Sequence, residues 1–269
     1  MVIKETPASD FVLRSASCTD TNAISTGNIG SFGDLSGNVL TIDGTHVFPG
    51  ADLRCVFINR RPTTLTLRKT WVNAAVNDTT VVSLKLNGST QGSLSSTANT
   101  ANETDTGTAI TVYTGEVLNL SETLGSSNSG QYAATVSCNN GVTVSPSGDL
   151  TVPATATTCT VTNTRTTTLT LRKTWVRAAQ NDTTTVNLKR GTTVVDSLSS
   201  TASSENKTDT DSTPWVGYTG ETLNLSETLG GSNLGQYTPV ASCDNGVTVA
   251  ANGDFVVPMV SSVVCTLTN

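Results

Sequence analysis

Histidine, aromatic residues and charge are all scarce in this chain. The single histidine, His46, lies outside both full copies of the repeat described below, so neither copy can assemble a Ser–His or Cys–His nucleophile pair. No C-x-x-C occurs, and with one histidine the cysteines do not suit zinc; no metal and no cofactor are expected. The G-x-x-x-x-G-K-[ST] phosphate loop is missing. No apolar run is long enough to cross a bilayer, so no membrane insertion is expected from these residues. Charged residues make up 13% of the chain, about half of ordinary usage, and the formal net charge is -6. That balance argues against nucleic acid or an anionic membrane surface as a partner. Together these absences leave little material for a turnover enzyme.

What is plentiful is Thr, Ser, Val and Asn, a mix that favours many short strands with wet outer faces and gives little support to helices. At 269 residues the chain has room for two or three domains. Self-similarity divides it. TLTLRKTWVN at 64–73 returns as TLTLRKTWVR at 168–177, and GEVLNLSETL at 115–124 returns as GETLNLSETL at 220–229. CTVTN at 159–163 becomes CTLTN at 265–269. Two full repeats therefore run from about 63 to 165 and from 166 to 269. Residues 1–62 align with the trailing half of the same repeat, without its first strands. This frame leads to the expectation of a fragment whose export signal and anchor lie elsewhere.

Within each repeat the side chains alternate. Leu65, Leu67, Lys69 and Trp71 share one face, Leu118, Leu120 and Glu122 another, and Cys159, Val161 and Asn163 a third. Asn87-Gly88, Asn140-Gly141 and Ser147-Gly148-Asp149 mark turns between the runs. The expected fold class is all-β: tandem Ig-like or prealbumin-like β-sandwich domains. The two tryptophans, Trp71 and Trp175, are expected in the core or at a junction between domains.

Six cysteines fall as three spaced pairs, Cys18 with Cys55, Cys138 with Cys159 and Cys243 with Cys265. One pair per unit reads as one disulfide per domain and implies an oxidising, extracellular compartment; the other reading, buried free thiols, has to explain the same placement three times.

Three polar residues stand where the alternation calls for apolar ones: Lys69, Glu122 and Asn163, repeated as Lys173, Glu227 and Asn269. Buried charges of this kind are costly unless neutralised. Desolvation favours the neutral amine and the neutral carboxyl. A neutral amine beside an amide, with a carboxyl to shuttle protons, can expel ammonia and leave a Lys–Asn amide cross-link. The plainer reading is an ion pair near one end of the sandwich with a capping amide, and the sequence leaves both open.

The order Lys on the first strand, E-T-x…G-x-Y in the middle and T-x-T-N on the last strand resembles the CnaB and SpaA-like prealbumin-fold repeats. The resemblance covers both full repeats and, through Glu5 and Asn59, the leading half repeat. It implies stalk domains of bacterial pili or adhesins at the cell surface. It further implies an intramolecular isopeptide bond between Lys69 and Asn163 assisted by Glu122, and between Lys173 and Asn269 assisted by Glu227. Two features depart from the family pattern: the ten residues from Glu122 to Tyr132, and the internal cysteine pair. The S-C…C-T-x-T-N arrangement is closer to a disulfide-bearing SpaA-like branch.

The partners expected are the neighbouring repeats of the same chain and, through a tip domain outside these residues, a host or surface ligand. A module that binds a surface glycan or protein through its own loops is the alternative function. Asn163 lies only ten residues before Lys173, so the last strand of one repeat nearly becomes the first of the next, as a stiff spacer requires. The acidic loops around Asn102–Asp105 and Asp209–Asp211 are expected to be solvated loops, and Asn77-Asp78-Thr79 a chance sequon.

Overall fold

Alternating β-branched and hydroxyl side chains, broken by Gly and Asn at turns, leave the chain one four-residue helix, α1 (Ala23–Thr26), and one 3-10 turn at Gly44–His46; every other regular element is a strand. The computed structural model describes residues 1–269. Apolar side chains gather in three clusters, within residues 3–57, 65–161 and 169–267, with a small tryptophan-centred cluster beside each of the last two. They define a first, a middle and a last unit.

The first unit contains β1 (Val2–Lys4), β2 (Val12–Asp20), β3 (Ser31–Phe32), β4 (Asp34–Ser36), β5 (Val39–Thr41) and β6 (Leu53–Arg60). β2 pairs antiparallel with β3 and β6, and β1, β5 and β4 form a second small sheet. Only Cys18, Leu40 and Ile42 are fully enclosed between them.

The middle unit is a complete sandwich. Its strands are β7 (Pro62–Val72), β8 (Thr79–Leu86), β9 (Ser89–Thr97), β10 (Glu103–Tyr113), β11 (Val117–Leu124), β12 (Gln131–Cys138), β13 (Asp149–Thr151) and the first half of β14 (Thr157–Trp175). One sheet runs β10-β7-β14-β12, the other β13-β11-β8-β9. Leu65, Leu67, Val82, Leu84, Leu118 and Leu150 fill the space between, each worth roughly 1.5–3 kcal/mol on full burial. The β8–β9 hairpin turns at Asn87-Gly88 with φ of 49° and 81°, the left-handed pair that a two-residue turn matching strand twist needs.

β14 belongs to two units. Thr157–Thr164 lies parallel to β7, while Thr168–Thr174 lies parallel to β22 (Ser262–Thr268) of the last unit. This strand of 19 residues carries the chain from one sandwich into the next without a loop. At the equivalent first junction, β6 and β7 are separate strands; Pro62 stands where Thr166 continues the ladder, and proline has no N–H to donate. The last unit otherwise repeats the middle one with β15 (Thr183–Arg190), β16 (Thr193–Thr201), β17 (Lys207–Thr210), β18 (Trp215–Tyr218), β19 (Thr222–Leu229), β20 (Val240–Cys243) and β21 (Asp254–Val256). The counterpart of β10 is split into β17 and β18, with Pro214 in the gap.

All three cysteine pairs are disulfides, Cys18–Cys55, Cys138–Cys159 and Cys243–Cys265. Each joins directly opposite residues of neighbouring antiparallel strands.

Candidate functional site

Strand alternation turns Lys69 inward on β7, where it is fully buried. On the adjacent parallel strand, Val161 faces Lys69 and Asn163 faces Trp71, which makes Lys69 and Asn163 diagonal neighbours on one inner face. Glu122 reaches them from β11 in the opposite sheet. Its Oε1 lies 2.9 Å from Lys69 Nζ and accepts hydrogen bonds from Asn163 Nδ2 at 2.9 Å and Thr80 Oγ1 at 2.9 Å. One carboxylate oxygen thus touches both the amine and the amide nitrogen.

The last unit reproduces the arrangement. Glu227 Oε1 is 2.9 Å from Lys173 Nζ and accepts from Asn269 Nδ2 at 2.9 Å and Thr184 Oγ1 at 2.8 Å. Asn269 is held by backbone hydrogen bonds on both sides, its N–H to Thr174 O at 3.0 Å and its carbonyl from Val176 N at 2.7 Å. In the first unit, Asn59 Nδ2 donates to Glu5 Oε1 at 2.6 Å, and no lysine is ion-paired with Glu5; the adjacent Lys4 is exposed.

Polar satisfaction in the complete units is imperfect. Lys69 Nζ and Lys173 Nζ lie within ion-pair distance of their glutamates but make no well-directed hydrogen bond, and Asn163 Oδ1 and Asn269 Oδ1 have no partner. Leaving such groups buried costs about 1–3 kcal/mol each, and more when charged. Burial pushes both lysines below the usual lysine range, and the close contact with the charged glutamate only partly opposes it.

A tryptophan closes the site. Lys69 Nζ sits 4.6 Å from the Trp71 ring centre, and Lys173 Nζ 4.7 Å from that of Trp175. Trp71 packs with Ala74, Ala98 and Tyr132 in a small cluster apart from the main core. Its Nε1–H donates to Ser96 Oγ at 2.7 Å, and Ser96 Oγ–H to Asp105 Oδ2 at 2.6 Å. Asp105 stands on strand β10, and Asp209 on β17, rather than in the solvated loops expected from the sequence, because their residues pair with β7 and β14; Asp105 anchors the tryptophan through Ser96. Beyond it, Tyr132 Oη donates to Asp78 Oδ2 at 2.6 Å and accepts from Ala75 N at 3.0 Å. Burial pushes the Tyr132 hydroxyl up to about 12, helped by the Asp78 carboxylate. Burial also pushes Asp78 up, but the donors Tyr132, Ser129 N and Gly130 N outweigh it and hold the carboxyl below its usual value.

Thr80, Ser96, Asp105 and Asp78 were not singled out for these roles by sequence reasoning. Their signal was recurrence at the repeat interval, as Thr184, Ser200, Asp209 and Asp182. The Asn77-Asp78-Thr79 triplet has a local structural use: Asn77 takes a left-handed φ of 74°, which turns Asp78 inward.

Repeated β-sandwich units of this kind place the chain among tandem prealbumin-like domains. Residues 1–61 match one SpaA-type model and residues 168–269 another, both described as a prealbumin-like fold domain. Together the matches span more than half of the chain, which belongs to the SpaA-like prealbumin-fold repeats. No curated protein matches the chain. Among solved structures, the major pilin protein T-13 of Streptococcus pyogenes is 14% identical, with 77% of this chain and 96% of that chain covered and a TM-score of 0.25. A C-terminal fragment of the pilus adhesin SpaC of Lactobacillus rhamnosus GG is 13% identical, with 77% and 96% covered and a TM-score of 0.26. Full SpaC in an open conformation is 11% identical, with 99% and 42% covered and a TM-score of 0.27. At these scores the family assignment rests on the two domain matches alone. No helix is long and apolar enough to cross a membrane.

Proposed function

We propose that the chain is a stalk or spacer segment of a bacterial surface fibre or adhesin, with units at 1–62, 63–165 and 166–269. Each complete unit closes once, by its own chemistry, through a Lys69–Asn163 or Lys173–Asn269 amide bond. The observation that carries this reading is the single Glu122 oxygen within 2.9 Å of both the Lys69 amine and the Asn163 amide nitrogen, repeated at Glu227.

The chemistry follows from that placement. Glu122 takes a proton from the lysine, whose burial already favours the neutral amine. Lys69 Nζ bonds to Asn163 Cγ as the Cγ–Nδ2 bond breaks, and the carboxyl returns the proton to the departing nitrogen, which leaves as ammonia. No cofactor or oxidant enters the balance, and the buried site holds the partners together, an advantage that can be worth about 7–11 kcal/mol of barrier. Nothing is turned over.

The topology suits tension. β7 and the first half of β14 are adjacent and parallel, so a pull on the start of one and the end of the other loads their ladder in shear, every hydrogen bond at once. The proposed amide staples these two strands near the exit end. Residues between Lys69 and Asn163 are then shielded from extension, a length of roughly 300 Å at ~3.3 Å per residue. The disulfide Cys138–Cys159 lies inside that loop and acts on thermal rather than tensile stability. At the junction, Thr219 N donates to Arg165 O at 3.0 Å and Asn73 Nδ2 to Thr219 O at 2.7 Å, contacts that support a stiff joint. The disulfides support an oxidising compartment, and hence the outside of the cell.

Intact-mass measurement under reducing conditions tests the bond. The expected mass is the calculated value less one ammonia for each complete unit; the full calculated mass would leave only a disulfide-pinned spacer.

A further inference from the structure

The middle and last units satisfy one carboxylate in different ways, and the difference falls at the joints between units. Glu116 and Glu221 stand just before β11 and β19, at equivalent places in the repeat. Glu221 is paired inside its own unit: Arg190 Nε donates to its Oε2 at 2.8 Å and Arg190 Nη2 to its Oε1 at 3.0 Å. The middle unit has Leu86 where the last has Arg190, so the buried Glu116 has no cation of its own unit. Its cation comes from the first unit. Arg14 Nε donates to Glu116 Oε1 at 3.1 Å, and the guanidinium lies over the Tyr113 ring, 3.9 Å from its centre. A β-bulge aims it there: Leu13 faces Asn59 and Ser15 faces Ile58, which leaves Arg14 as the extra residue of β2. β12, the matching strand of the middle unit, pairs with β14 without a break.

The backbone differs at the two joints as well. β14 runs through the second joint as one strand, laddered to the middle unit on its first half and to the last unit on its second. At the first joint β6 ends at Arg60 and β7 begins at Pro62, with Thr114 N donating to Arg61 O at 2.9 Å between them. Arg60 Nη1 adds a hydrogen bond to Thr114 O at 2.8 Å, as Asn73 Nδ2 does to the equivalent Thr219 O at the second joint. We infer that the first joint is a hinge locked by a side-chain clamp, Arg14 on Glu116 and Tyr113, whereas the second is a rigid coupling made by the strand itself. With the clamp released the first unit swings about Arg61, because a small polar contact between domains does not fix their orientation. A stalk built this way yields to a sideways load at one joint and holds at the other. The inference goes beyond the spacer reading and does not depend on the Lys–Asn bond.

The test measures the spread of distances across each joint in the full chain by double electron–electron resonance, with spin labels on non-cysteine handles. Val56 and Val81 span the first joint and Val81 and Val216 the second, all three exposed strand positions. Narrow distributions are expected at both joints of the unchanged chain. Arg14→Ala is expected to at least double the width across the first joint and to leave the second as it was. Leu86→Arg, which copies Arg190, gives Glu116 a cation of its own unit and is expected to widen the first joint in the same way; it leaves the first unit untouched, so the outcome does not hang on how that unit tolerates the loss of Arg14. Arg14→Lys keeps the charge but not the planar group that stacks on Tyr113, and its width is expected to fall between. A first joint already broad in the unchanged chain, a width that neither Arg14→Ala nor Leu86→Arg alters, or equal widening at the second joint overturns the inference.

Discussion

The first and middle units share a disulfide between opposite strands and a Glu–Asn contact, yet the main apolar cluster of the first holds three buried residues and that of the middle one eleven. The difference is one segment, β7 to β10. That segment brings the lysine and the apolar faces that bury it, so packing and chemistry arrive together. A lysine on an exposed strand would stay hydrated and protonated; on β7 it is stripped of water by the leucines that precede it and the tryptophan that follows.

The sharpest way to break this comparison is Lys69→Ala set against Glu5→Ala. The first change removes the proposed bond and leaves Glu122 and Asn163 buried without their partner, at a cost on the order of 3–5 kcal/mol or more. The second touches a half-enclosed hydrogen bond worth about 1 kcal/mol. Denaturant unfolding followed unit by unit checks both; equal losses would mean that enclosure does not set the difference.

Reduction of the disulfides comes next. Chain-entropy reasoning gives about 3 kcal/mol for the middle unit and slightly more for the first, whose cysteines are 37 residues apart rather than 21. With the smaller core, the first unit is expected to become protease-sensitive at lower reductant concentration. A middle unit that opens first would reverse the ranking.

The smallest effect is on pH. The Tyr132 hydroxyl, raised to about 12 in the folded state, keeps its proton there while the unfolded chain loses one near 10. Its contribution is therefore complete below pH 10 and lost as pH climbs through about 12. Asp78, held low, acts at the other end: its contribution is present above the ordinary aspartate range and lost as pH falls through its lowered value. The first unit has no tyrosine. Tyrosinate absorbance with parallel melting curves checks the alkaline limb, and Tyr132→Phe is expected to flatten it.

Much of the site was legible because it violates a local rule. Lys69, Glu122 and Asn163 interrupt runs in which every second residue should be apolar, and the repeat prints the same interruption twice. The cysteines were legible for the same reason. Thr80 and Ser96 were not, because they sit among many hydroxyl residues and nothing local says which one faces a carboxylate. Asp78 was hidden in what looked like a chance sequon. The junction at Asn163–Thr168 was expected to be short and stiff, but its absorption into one strand depends on partners: β12 and β7 on the first half, β17, β18 and β22 on the second.

Strand identity, inward faces and the division into repeats were settled by the order of residues alone, because alternation is a property of an extended backbone and needs no distant partner. The meeting of amine, carboxylate and amide was decided only by the folded sandwich. It requires two parallel strands far apart in the chain to lie side by side, a second sheet to deliver a glutamate from the other face, and water to be shut out of the space between.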